Sequence, residues 1–130
     1  MAVTRLNPVG LADLRGLITQ VVAAHGLVYL SGQVAMDADG QPVGVGSHVA
    51  QVAQIVHNLD IALAAAGATR DDVITETLYI VDYHPGLLAP MIEVLRAGVA
   101  QAPASTLVVV PALFAPDYLV EIEVVAAVPQ

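Results

Sequence analysis

The 130-residue sequence predicts one α+β domain, spanning 1–130, in which a mixed β-sheet carries two helices on one face. Three observations lead there. Five short runs are rich in β-branched and apolar residues, and two longer stretches carry apolar stripes at helical spacing. Their order is β-β-α-β-α-β-β, without the regular strand–helix alternation of a doubly wound parallel sheet.

Residues 21–23 and 27–33 read as antiparallel strands because His25-Gly26 between them is a short break that favours a hairpin. A turn signal follows at Asp37-Ala38-Asp39-Gly40. From Ser47 to Ala66, Val49, Val52, Val56, Leu59, Leu63 and Ala66 recur at spacings of three and four, which places them on one helical face. Ser47 suits the N-cap and Gly67 the C′ position. Gln51, Gln54, Asn58 and Asp60 fall on the other side, which is expected to be wet.

Residues 74–81 form the next β-rich run, and after Pro85-Gly86 a second helix fits 88–100, striped by Leu88, Met91, Ile92, Leu95 and Val99. Residues 106–110, stopped by Pro111, and 119–128, preceded by Ala115-Pro116-Asp117, are the closing strands.

Composition removes whole mechanisms. The chain has no Cys, so disulfides, thiol nucleophiles and thiolate metal sites are excluded. It has four Arg, no Lys and a net charge of −8, which excludes a lysine Schiff base and leaves no cationic stripe for nucleic acid. No apolar run approaches the length of a membrane span, and the N-terminus lacks a signal-like apolar core, so a cytoplasmic protein is expected. The 57% apolar content is high for so small a domain and favours a homo-oligomer that buries part of it, against an Ala/Val-rich monomer.

The last strand holds the most unusual local feature. In Val120-Glu121-Ile122-Glu123-Val124 the period of two puts both carboxylates on one sheet face. That face is either solvated and charged against aggregation, or the wall of a pocket in which a carboxylate activates water. A second candidate is Tyr29-Leu30-Ser31-Gly32-Gln33, where Gly32 signals a bulge, a close approach or simple sheet curvature beside the polar Ser31 and Gln33. His25, His48, His57 and His84 have no metal-ligand spacing, and no Gly-x-Ser-x-Gly or phosphate loop is present. No metal or other cofactor is called for.

Taken in order, Tyr29-Leu30-Ser31-Gly32-Gln33, Ala64-Ala65-Ala66-Gly67-Ala68 with Asp71-Asp72-Val73, Pro103-Ala104-Ser105-Thr106 and Val120-Glu121-Ile122-Glu123 resemble the RidA (YjgF) family of imine/enamine deaminases. The resemblance runs from about Thr19-Gln20 to Val128. It implies a chorismate-mutase-like fold, a homotrimer, and small-molecule sites in the clefts between subunits. It further implies a water-positioning role for Glu121 and a substrate-binding role for Ser31, Gly32, Gln33, Ser105 and Thr106. In active relatives an arginine follows Pro-Ala and clamps the substrate carboxylate; here Ser105 stands there. The family tyrosine before Ser-Gln is also missing at Ile18-Thr19-Gln20, and its second-helix asparagine is replaced around Pro90-Met91. The expected function is therefore hydrolysis of an imine or enamine on a substrate needing no arginine clamp, or metabolite binding without catalysis. A nucleic-acid-cleaving role, also attached to this family, fits poorly with the charge.

Overall fold

A computed structural model describes residues 2–128. Strand β1 (Thr4–Leu6) pairs with β2 (Val21–Ala24), and β2 forms the expected hairpin with β3 (Leu27–Leu30). His25 and Gly26 both adopt positive φ, 54° and 76°, as a two-residue turn matching the twist of its strands requires. Strand β4 (Gln33–Val34) precedes α1 (His48–Ala65); then come β5 (Val73–Ile80), α2 (Leu88–Arg96), β6 (Ala104–Val109) and β7 (Val120–Ala127).

The sheet order is β1-β2-β3-β7-β5-β6, with β4 also on β7. Only β5 and β6 run parallel, joined across α2; the remaining pairs are antiparallel, so the sheet is mixed, as expected. Val120, Ile122, Val124 and Ala126 of β7 and Leu78 and Ile80 of β5 meet Val52, Ile55, Leu59 and Leu63 of α1 and Met91 and Leu95 of α2 in one core. Among the described residues no helix covers the opposite sheet face, and Tyr29 and Val108 are exposed on it.

Both ends of α1 are built as read: Ser47 Oγ accepts from the Ala50 amide at 3.1 Å, and Gly67, φ 79°, closes the last turn. Its polar side is not uniformly wet. Gln51 and Asn58 are buried, Gln51 because it accepts from the Leu119 amide (2.8 Å) and donates to Asp117 O (2.9 Å), and Asn58 because it donates to Val34 O (3.2 Å) and Met36 O (2.9 Å). These side chains answer backbone groups beneath the helix, among them the Leu119 amide and the Asp117 and Met36 carbonyls, which amphipathic spacing does not reveal.

Strand β6 begins two residues before the expected 106, and other differences are larger. Helix α2 stops at Arg96 because Gly98, φ 78°, turns the chain, so Val99 lies beyond the helix whose stripe it continued. The run expected at 27–33 is interrupted between β3 and β4. Strand β1 was not legible, since three residues with mostly exposed side chains carry little periodicity.

Candidate functional site

The interruption at Ser31-Gly32 builds the site. Tyr29 lies opposite Val125, whereas Gln33 lies opposite Ile122, so four steps along β3–β4 match three along β7 and the extra residue is a bulge. Gly32 sits in it. A Cβ there would lie 2.9 Å from Glu121 Cδ and 3.1 Å from its Cγ, so the missing side chain makes room for the carboxylate.

Residues 7–20 wrap over this bulge and are tied to it by hydrogen bonds. Ser31 Oγ donates to Thr19 O at 2.6 Å, the Ser31 amide to Gln20 O at 3.0 Å, and Gln33 Nε2 to Gln20 Oε1 at 2.9 Å. Buried Gln20 in turn donates to Ala12 O at 3.2 Å and takes the Asn7 side-chain oxygen on its amide at 3.1 Å. Ser31 has thus committed its only hydroxyl proton to the scaffold, and presents acceptor lone pairs to any ligand.

Between the wrap and the bulge lies a cavity of about 410 Å³, within the range of small-molecule sites. Its apolar walls include Leu11, Leu14, Leu17, Ile18, Met36 and Phe114, and its polar wall joins Ser31, Gly32 and Gln33 to Glu121. Glu121 is half-buried, and burial raises its carboxyl above the ordinary glutamate value, with a smaller push from Glu123. Glu123, on the same sheet face, is exposed and accepts from the Tyr79 hydroxyl. The two carboxylates therefore differ in setting: the bulge shelters Glu121 in the cavity wall and leaves Glu123 exposed.

Ser105 lies elsewhere. It pairs with Glu76 across the β5–β6 register, on the helix-bearing face, and its Oγ donates to Glu76 Oε2 at 2.6 Å. Glu76 is buried and bound by both terminal nitrogens of Arg96, one at 2.8 Å from Oε1. Thr106 is exposed on the opposite face. Within one chain, then, Glu121, Ser31, Gly32 and Gln33 come together and Ser105 and Thr106 do not join them. Sequence reasoning missed the apolar wrap and Phe114; a signal existed in Leu17, Ile18 and Phe114, large apolar residues in loops that remain exposed at 83%, 40% and 70%.

The profile of a family described as Endoribonuclease L-PSP matches residues 15–128. The chain belongs to that family. A RutC family protein of Synechocystis is 32% identical over 115 residues, 88% of each chain. A Rid-family protein of Yersinia pestis superposes with a TM-score of 0.86 at 28% identity, covering 98% of this chain and 100% of that one. The RidA of an Antarctic Psychrobacter gives 0.85 at 26%, covering 96% and 99%. The RidA/YjgF resemblance read from the sequence, and the fold it implied, are thereby established. Among the described residues there is no cluster of three metal-ligating side chains and no helix long and apolar enough to cross a membrane.

Proposed function

We propose that this RidA-family chain forms a homotrimer and hydrolyses an imine or enamine to a carbonyl compound and ammonia, with Glu121 positioning the water. The observation that carries the reading is a half-buried carboxylate, held above the ordinary glutamate value by burial, in the wall of a cavity of about 410 Å³. An enamine first takes a proton at carbon to become the iminium form of the imine. Water then adds to the C=N carbon while Glu121 accepts its proton, and the C=N electron pair passes to nitrogen. The same carboxyl returns the proton to nitrogen; as the carbinolamine collapses the C–N bond breaks, the hydroxyl proton passes back to the Glu121 carboxylate, and ammonia leaves with the carbonyl product.

The trimer rests on the exposed edge strand β6, the helix-free sheet face and the family membership. In it the edge bearing Ser105 and Thr106 of one copy closes the Glu121 cavity of the next. The family description names an endoribonuclease, but a chain with no Lys and a net charge of −8 offers RNA phosphates little. One observation favours a second reading, metabolite binding without turnover: the Ser105 hydroxyl is engaged by Glu76 rather than free for a substrate.

Release of carbonyl product from imines generated in situ separates the two. Acceleration by the wild type, lost in Glu121→Ala, is expected; no acceleration on any imine leaves the binding reading, and full activity of Glu121→Ala removes Glu121 from the mechanism. Light scattering should give three times 13.4 kDa, and a mass of 13.4 kDa would overturn the trimer.

A further inference from the structure

Among the described residues the cavity wall contains one ionisable group, Glu121, and no cationic one. A ligand carboxylate placed inside would therefore face an acidic side chain and apolar surface with nothing to neutralise it. The rest of the molecule has little to lend. There is no Lys, and three of the four arginines are held by carboxylates: Arg15 by Asp13, Arg70 by Asp60 and Arg96 by Glu76. Among the described residues only Arg5 is in no ion pair, and it lies on β1, the far edge strand, outside the cavity wall.

The edge around Ser105 is no better suited to an anion. The hydroxyl points its proton at Glu76, and the guanidinium beside it already forks onto that same carboxylate. A second copy presenting this edge would bring a neutralised pair and no free positive charge. The apolar walls supplied by Leu11, Leu14, Leu17 and Phe114 reward a hydrophobic substituent, and the acidic group at the polar end rewards a positive one.

Resting on the hydrolase reading above, we infer that the site takes a carboxylate-free imine with an apolar substituent, bound as its iminium cation with nitrogen toward Glu121. The substituent fills the pocket made by residues 11–18 and Phe114. The substrate class is thus the oxidation product of a hydrophobic primary amine rather than that of an amino acid.

A matched pair differing only in the carboxylate tests this. Calorimetry compares phenethylamine, whose ammonium imitates the iminium, with phenylalanine on the intact oligomer; phenethylamine should bind at least tenfold tighter, and Glu121→Gln should erase most of that preference. Equal or tighter binding of phenylalanine overturns the inference, as does a preference that survives Glu121→Gln. In parallel, an amine oxidase and an amino-acid oxidase generate the two corresponding imines, and semicarbazide competition reports their hydrolysis. Faster turnover of the carboxylate-free imine is expected. If the binding preference holds while neither imine is hydrolysed faster, the hydrolase reading fails and the ligand class stands; if the imino acid is the better substrate, the ligand class fails and the hydrolase reading stands.

Discussion

Replacing Gly32 by Ala tests whether the bulge exists to accommodate Glu121. The added Cβ would sit 2.9 Å from Glu121 Cδ, whereas ordinary contact begins near 3.4 Å, so the carboxylate has to withdraw by at least roughly 0.5 Å. The obstacle is a half-exposed side chain rather than backbone, and Gly32 has no positive φ, so the fold survives. Forcing the glutamate off its rotamer costs about 0.5–1.5 kcal/mol, which the lower unfolded-state entropy of Ala offsets by about 0.4–1 kcal/mol. The single variant is thus close to neutral in stability. In a Glu121→Ala background the clash is gone and the same change should stabilise. Urea denaturation of the four proteins should give a coupling energy near 1 kcal/mol, and a displacement of this size should reduce imine turnover by roughly tenfold to a hundredfold. Coupling below about 0.3 kcal/mol, with turnover unchanged, would refute the reasoning.

Gln51→Leu should lower unfolding free energy by about 2–4 kcal/mol in urea, because it strips partners from the Leu119 amide and the Asp117 carbonyl beneath α1. Arg96→Met leaves the Glu76 carboxylate buried without its counterion and should cost about 2–4 kcal/mol, while Glu76→Leu/Arg96→Met should recover most of it; equal losses in the single and double variants would show that the pair's charge is not the cause. Glu121→Gln should melt higher than the wild type at neutral pH. The folded carboxyl is held above its unfolded value, so its ionisation penalises the fold increasingly as pH rises past the ordinary glutamate range. The advantage of the variant should shrink to nothing on descending to about pH 4, and a constant difference in thermal melts would contradict the burial argument.

Much of the architecture was legible because local signals agreed with one another. The His25-Gly26 turn, the Ser47 cap and Gly67 each sit where the apolar periodicity begins or ends. The second helix was overextended because Val99 continues the stripe while Gly98 quietly ends it. The site was half legible. Period-two alternation put Glu121 and Glu123 on one face, and Gly32 flagged a bulge, yet only the three-dimensional register shows that the bulge lies over Glu121 alone. The buried roles of Gln20, Gln51 and Asn58 were hidden because each answers a backbone group distant in sequence. Within one chain the Ser105 hydroxyl is engaged by Glu76, a residue that no one-dimensional pattern connects to it.

The place of β7 in the sheet has a consequence for synthesis. It is the last of the seven strands to leave the ribosome, yet it lies between β3 and β5 and joins the two halves. Until it arrives, the N-terminal hairpin and the β5–α2–β6 unit have no common strand, and β3 and β5 each present an open edge. The sheet therefore cannot close before β7 has been made, and its closing step depends on contacts between residues about a hundred positions apart. During that interval the open edges of the Val-rich strands are sites for edge-to-edge pairing with other chains.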